Sequence, residues 1–295
     1  MLKQIKLLTI LSIFSLTLFC ANFNAKQQAT TTNPDCRPVI FFDLGDVLLE
    51  TSKKQALWIN GFPFKFLFKY GKPDSKQITS RLFELIDHQT GNPPRGTATH
   101  QDGEQMPALM CDWLEGNISS QEFIRVITTI SPCDQFFKSK TEGRFILSAA
   151  RLMSPINLVQ TRKLRPKMLA ALNYCTRNPN LRVGILSNWD KDSIELLKAA
   201  FPEIFRNVDP ALILFSSELG CKKPDPVIYQ RATRIAGCTP KKCTLVDDQL
   251  ENCLQAQACG WEAIHHKDDA NTIYQITNLC DLVLYKTPKP PVKFK

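Results

Sequence analysis

Short apolar segments that end in polar residues recur along this chain, and they constrain its fold more than any other feature. The first is Val39–Phe42, and Asp43 follows it directly. Such runs, separated by stretches with helical periodicity, are typical of parallel strands buried on both faces. The predicted strands are residues 39–42, 181–186, 211–215, 244–246 and 261–264. We therefore expect an α/β fold, Rossmann-like in plan, in which helices cover both faces of a parallel sheet.

Polar residues follow four of these five predicted strands. They are Asp43, Ser187–Asn188, Ser216–Ser217 and Asp247–Asp248. In open α/β sheets, ligands bind beyond the carboxyl ends of the strands. The sequence therefore predicts a functional site where these ends meet.

A long insert separates the first two predicted strands. About 135 residues lie between them, far more than a crossover connection needs. We expect a helical cap domain at residues 51–163, with helices at residues 76–89, 106–114 and 136–153 and another that begins at a capping box formed by Ser119 and Glu122. The predicted α/β core comprises residues 36–50 and 164–285, and residues 286–295 form a basic tail.

The N-terminus has the pattern of an export signal. Lys3 and Lys6 precede the uncharged run Leu7–Phe19, which is shorter than the about 20 residues of a membrane-spanning helix. Residues 1–21 are therefore predicted to be a signal peptide or a membrane anchor, which implies a periplasmic, secreted or membrane-anchored protein. A buried N-terminal helix is the alternative. The polar residues 22–35 are predicted to be a linker.

The net charge of +9, from 37 Lys+Arg against 28 Asp+Glu, favours anionic partners. The basic residues are dispersed, and no stretch interleaves them with aromatic residues as a nucleic-acid-binding surface does. We therefore expect a small phosphorylated ligand, no nucleic acid and no protein partner. Membrane association is expected only through the N-terminal segment.

The chain has 11 cysteines, and ten remain if Cys20 is removed with the N-terminal segment. An even number in an exported protein permits disulfides. Cys238 and Cys243 flank a Thr-Pro-Lys-Lys turn and form the best-placed local pair, while free thiols scattered through the core are the alternative. The absence of CxxC spacing argues against a zinc site.

Four motifs in this chain, in order, resemble those of the haloacid dehalogenase (HAD) superfamily, most of whose members are phosphatases. They are Phe41–Leu48, Ile185–Asn188, Lys223–Pro226 and Val246–Asp248, the last followed by Glu251-Asn252. The first motif, with its Asp-Leu-Gly-Asp-Val string, is similar to that of a capped bacterial branch that includes sugar-1-phosphate phosphatases. The resemblance implies a Mg²⁺-dependent phosphomonoester hydrolase that acts through an aspartyl phosphate on a small phosphorylated metabolite.

The resemblance also implies a role for each motif residue. Asp43 would be the nucleophile, and Ser187, Asn188 and Lys223 would bind the phosphoryl oxygens, with Ser187 and Lys223 contributing to catalysis. The metal ligands would be Asp43, Gly45 through its carbonyl, Asp247 and Asp248, helped by Asn252. The Lys-Pro pair selects Lys223 as the functional lysine and leaves Lys222 solvated.

The chemistry of these residue types agrees with that assignment. A carboxylate can attack phosphorus and split a difficult hydrolysis into two steps. Asp247 and Asp248, adjacent acids at a buried strand end, repel each other unless a cation lies between them, and Mg²⁺ prefers such oxygen ligands. A serine, a backbone N–H and a lysine suit a phosphoryl group.

One position departs from the pattern. Phosphatases of this superfamily usually carry a second Asp two residues after the nucleophile, where it protonates the leaving group, and this chain has Gly45 there. Loss of a general acid costs about 10²–10⁴-fold. Two other functions therefore stay open: a haloacid dehalogenase, which also lacks that Asp but needs no metal, and a non-catalytic exported HAD-like binding protein. The paired Asp247 and Asp248 argue against the dehalogenase.

Overall fold

The computed structural model describes residues 37–59, 75–91 and 105–286. Its strands are β1 (Val39–Phe42), β2 (Leu49–Thr51), β3 (Arg162–Leu164), β4 (Arg182–Ser187), β5 (Ile213–Phe215), β6 (Cys243–Asp247) and β7 (Glu262–His265). Five of them form a parallel sheet in the order β5-β4-β1-β6-β7, and β2 pairs with β3 in a separate antiparallel ribbon. The predicted α/β class with a parallel sheet is confirmed.

Strand β1 lies in the middle of the sheet. All four of its residues are buried, as its unbroken apolar sequence predicts for a strand covered on both faces. Phe42 is in register with Ile185 of β4 on one side and with Val246 of β6 on the other. The residue after β1 therefore emerges between the ends of β4 and β6.

The described residues between β2 and β3 are largely helical. They form α1 (Lys53–Ile59), α2 (Ser75–Thr90), α3 (Ala108–Leu114), α4 (Ser120–Thr128), α5 (Lys140–Arg151) and α6 (Pro155–Gln160). These helices bury an apolar cluster of their own around Leu85, Phe123 and Ile146, in which Trp113 stacks on Phe123. Both ends of the predicted insert, residues 51 and 163, fall within the β2–β3 ribbon.

Side-chain caps decide where two of these helices begin. Ser119 Oγ accepts a hydrogen bond from the N–H of Glu122 at 3.1 Å, so α4 begins at the predicted capping box. The prediction of a helix from residue 136 is wrong at its start. Ser139 Oγ accepts from the N–H of Glu142 and caps α5, while the preceding Asp134 holds a turn by accepting from the N–H of Phe136.

The remaining helices cover the parallel sheet. They are α7 (Pro166–Thr176), α8 (Ile194–Ala200), α9 (Pro202–Phe205), α10 (Ser216–Leu219), α11 (Pro226–Ala236), α12 (Leu250–Ala258) and α13 (Asp269–Lys286). Met168 of α7, Leu197 of α8 and Ile276 of α13 share one apolar cluster. Tyr229 of α11 and Ala256 of α12 belong to another. Helices on both faces leave the strand ends as the open edge of the sheet.

The predicted signal or anchor, the linker and all of the predicted basic tail except Lys286 lie outside the described residues. Among the described helices, none combines the length and the apolar character that crossing a membrane requires.

Candidate active site

The carboxyl ends of β1, β4 and β6 bring the predicted site residues together. Asp43 follows β1, and its N–H donates to the carbonyl of Val246 in β6 at 2.9 Å. Ser187 ends β4, and its hydroxyl contacts the Asp43 carboxylate. Asp247 ends β6. Because β1 lies between the other two strands, Asp43 occupies the centre of the group.

Lys223 reaches the same place from the segment before α11. Its Nζ lies 3.1 Å from Asp43 Oδ1 and 2.5 Å from Asp247 Oδ2, and it donates to the carbonyl of Leu186 at 2.8 Å. Only 1% of this lysine is exposed. Burial lowers its pKa, but the two carboxylates outweigh burial and hold the pKa above its ordinary value. Lys223 is therefore a fixed ammonium at the centre of the site.

The expectation that Lys222 is solvated is wrong, because it is only 3% exposed. Its neighbour Lys223 is the lysine that contacts the carboxylates, as the Lys-Pro pattern predicts.

The side chain of Asn188 forms two hydrogen bonds with the backbone of Lys223. Its Oδ1 accepts from the Lys223 N–H, and its Nδ2 donates to the Lys223 carbonyl, both at 2.8 Å. This pair connects the end of β4 to the lysine segment. Asn188 therefore positions Lys223 through its side chain, a role that the motif resemblance did not imply.

Three carboxylates form a cluster that fits a metal ion. One oxygen from each of Asp43, Asp247 and Asp248 lies within 4.8 Å of the others. The pKa of Asp43 is raised to about 6, mainly by burial. The charge of Lys223 opposes this increase, and the charge of Asp247 adds to it. Burial, followed by the charges of Asp43 and Asp247, raises the pKa of Asp248 to about 8. One lysine does not neutralise three acids, so the cluster favours a further cation.

The two acids after β6 differ in their hydrogen bonds. Asp247 Oδ1 accepts from the N–H of Gln249 and from Asn252 Nδ2, both at 2.9 Å, and Oδ2 binds Lys223. Asp247 is fully buried, whereas Asp248 is half-buried. Asp247 thus organises the site and holds Asn252 next to it, and Asp248 lies on the side that is nearer to solvent.

Gly45 lies in open space. A Cβ built on it would meet no atom within 4 Å, and its φ is outside the left-handed region. The next residue, Asp46, is exposed and has a φ of 52°. The local backbone therefore does not require glycine at position 45.

Arg162 in β3 is a charged residue near the site that the sequence reasoning missed. Its guanidinium donates to Thr51 Oγ1 and lies 5.5 Å from the ring centre of Trp189, which follows Ser187-Asn188. Burial lowers the pKa of Arg162, and the charges of Asp46 and Asp43 oppose this. Its buried Nε has no hydrogen-bond acceptor among the described residues. An arginine directly before Lys163-Leu164 carries no recognisable signal, because only folding brings β3 beside the loop after β4.

Arg165 joins the loop after β1 to the last helix. Its Nη1 donates to the Asp46 carbonyl at 3.0 Å, and its Nη2 pairs with Asp269 of α13 at 2.6 Å. The loop that follows Asp43 is thereby supported from outside the sheet.

The insert contacts the loop after β4 and helix α10, which follows β5. Ser120 of α4 donates through its hydroxyl to Asp190 at 2.9 Å and through its N–H to Asp192 at 2.6 Å. Gly116 has a φ of +76°, and a Cβ there would lie 2.4 Å from the Ser217 carbonyl oxygen. This close approach requires glycine. The insert is therefore seated directly on the edge of the sheet that carries the site.

A family model described as haloacid dehalogenase-like hydrolase matches residues 38–260. A HAD family enzyme from Bacteroides thetaiotaomicron, crystallised with magnesium and inorganic phosphate, is 20% identical with a TM-score of 0.47, over 78% of this chain and 94% of that one.

Two further solved structures are similar. A predicted HAD-like family hydrolase from Porphyromonas gingivalis is 19% identical with a TM-score of 0.49, over 82% of this chain and 97% of that one. A 2-haloacid dehalogenase from Pseudomonas syringae pv. Tomato is 16% identical with a TM-score of 0.44, over 78% and 86% of the two chains.

Proposed function

The chain belongs to the haloacid dehalogenase-like hydrolases, and from this premise we propose that it is a Mg²⁺-dependent phosphomonoesterase for small phosphorylated metabolites such as sugar phosphates. The observation that carries the proposal is the cluster of Asp43, Asp247 and Asp248, whose carboxylate oxygens lie within 4.8 Å of one another beside Lys223. A nucleophilic carboxylate, two further acids and a buried ammonium are the groups that phosphoryl transfer requires.

Asp43 is the nucleophile in this proposal. One carboxylate oxygen attacks phosphorus, the ester P–O bond breaks, and the electron pair leaves with the alcohol oxygen. Water then attacks phosphorus, releases inorganic phosphate and restores the carboxylate. The N–H of Leu44 at 2.7 Å and Lys223 at 3.1 Å both contact Asp43 Oδ1, so the carboxylate is oriented before substrate binds.

A metal ion bound here would supply positive charge that offsets the repulsion between the anionic nucleophile and the anionic phosphate. Asp43 and Asp248 would hold it, with the Gly45 carbonyl, as the family resemblance implies. Asp247 would act chiefly by holding Lys223 and Asn252, since its two oxygens already accept three hydrogen bonds.

Lys223 and Ser187 stabilise the transferring phosphoryl group. Lys223 stays protonated at neutral pH because its pKa is raised, and its position does not depend on substrate. Ser187 is 1% exposed and lies against the Asp43 carboxylate. Donors fixed in advance at the site of developing charge avoid the cost of reorganisation.

Gly45 sets the preferred leaving groups. Without an acid at this position, the alcohol oxygen must depart with little protonation. Substrates with low leaving-group pKa, such as sugar 1-phosphates, acyl phosphates and aryl phosphates, should therefore react fastest.

The test is hydrolysis of a generic aryl phosphate by the purified chain, with Mg²⁺ and with EDTA. We expect phosphate release that requires Mg²⁺ and is abolished in Asp43→Asn but retained in the matched control Asp281→Asn, on the last helix. Phosphate release by Asp43→Asn at the parent rate would overturn the role of Asp43. Halide release from a 2-haloacid would instead favour the dehalogenase, and neither activity would favour a binding protein.

We also propose export or membrane anchoring through residues 1–21, with a small anionic metabolite as the partner. Lys3 and Lys6 before the uncharged run Leu7–Phe19 support the export part of the proposal. Fusion of residues 1–35 to a reporter that is active only outside the cytoplasm tests it. A soluble cytoplasmic fusion would contradict it.

A further inference from the structure

Four of the nine described cysteines lie in two close pairs. The sulfur atoms of Cys175 and Cys280 are 3.5 Å apart, and those of Cys238 and Cys243 are 3.2 Å apart. The cysteines of the first pair are both completely buried. The first pair joins residues that are 105 positions apart in the chain, so folding alone brings them together.

The first pair connects α7 to α13 at a point where these helices are already held together. Next to it, Tyr174 OH donates to Asp281 at 3.4 Å, and Asn178 Nδ2 donates to the Cys280 carbonyl at 3.3 Å. At the other end of the two helices, Arg165 pairs with Asp269 at 2.6 Å. The helices are therefore fixed relative to each other at both ends. A disulfide with its usual S–S length of about 2.05 Å needs only a sulfur movement of about 1.5 Å.

The second pair brackets the short turn at Pro240–Lys242, between α11 and β6. Cys238 is half-buried, whereas Cys243 is fully buried at the start of β6. The hydrogen bond from Cys243, together with the charges of Arg182 and Lys242, lowers the pKa of Cys238 to about 7. Cys238 is thus the accessible and reactive member of its pair.

We propose that Cys175–Cys280 and Cys238–Cys243 are two disulfide-forming sites, which oxidise by exchange with a low-molecular-weight disulfide such as oxidised glutathione. No residue of the proposed active site takes part in this exchange, and the inference does not depend on the proposed function.

Exchange proceeds in two steps at each site. At the second pair, the Cys238 thiolate attacks one glutathione sulfur, a mixed disulfide forms, and one glutathione thiolate leaves. The Cys243 thiol loses its proton to solvent and attacks the Cys238 sulfur, and the second glutathione leaves as a thiolate. The cysteine pair is oxidised by two electrons, and oxidised glutathione is reduced to two glutathione molecules. At the buried first pair, the same steps take place during folding, before α13 closes over α7.

The first disulfide has the larger structural consequence. It would fasten α13 to the sheet domain across a loop of more than a hundred residues, and long closed loops restrict the unfolded chain most. Its helix also carries Asp269, the partner of Arg165, which in turn holds the Asp46 carbonyl. Oxidation would thus stabilise the support of the loop that follows Asp43. The second disulfide closes a turn of only a few residues and should add less.

The experiment compares two preparations of the full chain. One is refolded, or expressed, in the presence of oxidised and reduced glutathione, and the other is kept in reductant. After alkylation of free thiols, intact mass and peptide mapping report which cysteines are joined. We expect linked peptides that contain Cys175 with Cys280 and Cys238 with Cys243, and a melting temperature about 10 °C higher in the oxidised chain. The same cysteines alkylated as free thiols under oxidising conditions, or joined to other partners, would overturn the proposal.

Variants separate the two sites from a general effect of oxidation. Cys280→Ser should remove most of the redox-dependent shift in melting temperature, Cys238→Ser should remove little of it, and the buried Cys221→Ser should leave it unchanged. A redox shift that survives in Cys280→Ser would contradict the assignment of the larger effect to the first pair. Peptide mapping of the parent does not depend on how any variant folds.

Discussion

The side chain of Asn188 forms two hydrogen bonds with the backbone of Lys223, 35 residues further along the chain, each 2.8 Å long. One is accepted from the Lys223 N–H and the other is donated to its carbonyl. Together with the contacts of Lys223 Nζ to Asp43 and Asp247, they hold the ammonium between two carboxylates. The position of Lys223 is therefore determined at both its backbone and its side chain.

Asn188→Ala should displace Lys223. The change leaves a backbone donor and acceptor without their partners, which should cost about 1–3 kcal/mol of unfolding free energy. Misplacement of the ammonium should also lower kcat by about 10²-fold. Chemical denaturation and steady-state kinetics with an aryl phosphate measure the two effects. Asn117→Ala, which removes one hydrogen bond between exposed side chains, should change neither quantity; equal effects in both variants would contradict the role of Asn188.

Asp248→Ala should weaken Mg²⁺ binding far more than Asp46→Ala does. Asp248 belongs to the carboxylate cluster, whereas Asp46 is exposed and is not part of it. Isothermal titration calorimetry with MgCl₂ measures the dissociation constants. Parent-like binding by the Asp248→Ala protein would show that the cluster is not the metal site.

The metal-free protein should lose stability as pH rises. Burial raises the pKa of Asp43 to about 6 and that of Asp248 to about 8, above the about 3.9 of an unfolded Asp. Between pH 4 and these values the folded state binds more protons than the unfolded state, so the free energy of unfolding falls with rising pH by a few kcal/mol, on the order of 1.4 kcal/mol per pKa unit. Mg²⁺ binds the ionised form and should restore stability more at pH 8 than at pH 5.

Urea denaturation at both pH values, with EDTA and with Mg²⁺, measures this dependence. Asp248→Asn, which cannot ionise, should flatten the slope in EDTA. Asp43 and Asp190, whose pKa values burial also raises, contribute in the same direction and should leave a residual slope in that variant. Stability in EDTA that rises from pH 5 to pH 8 would be incompatible with these shifts.

Gly45→Asp should make the rate depend less on the leaving group. In the parent, rates should fall steeply as the leaving-group pKa rises, because no acid protonates the departing oxygen. A side chain at position 45 meets no atom within 4 Å of its Cβ, so the variant should fold. A series of aryl and alkyl phosphates under single-turnover conditions gives the slope, and a thermal melt checks the fold. A flat slope in the parent would mean that another group, with Asp46 the first to examine, already supplies the proton.

Arg162→Ala should raise KM for phosphorylated substrates more than it lowers kcat. The guanidinium lies at the side of the site, where it interacts electrostatically with Asp43 and Asp46. The cation in direct contact with the nucleophile Asp43 is Lys223, so the loss of Arg162 should affect substrate binding more than the chemical step. Loss of one charged hydrogen bond should raise KM by about 10-fold. Arg162→Lys should recover part of the loss, since it keeps the charge but not the planar donor arrangement. The exposed Arg177→Ala is the control. An unchanged KM in Arg162→Ala would exclude a contact between Arg162 and the substrate.

Local pattern was enough to locate the carboxyl ends of the strands. Val39–Phe42 is apolar throughout because β1 is covered on both faces, and this property is visible in four consecutive letters. Boundaries set by weaker local signals were less accurate. The helix expected from residue 136 begins at Lys140, because the side chain of Ser139 caps its N-terminus by accepting a hydrogen bond from the N–H of Glu142.

The sequence by itself determined the α/β class, the polar residues at the strand ends and the family to which they point, since each depends on residues that are close together in the chain. Only the tertiary structure decided the order β5-β4-β1-β6-β7, the bond of Asn188 to Lys223, the place of Arg162 over Trp189 and the meeting of Cys175 with Cys280. These contacts join residues tens to more than a hundred positions apart. Hydrophobic periodicity reports which face of an element is buried, but it carries no information about which distant element covers that face.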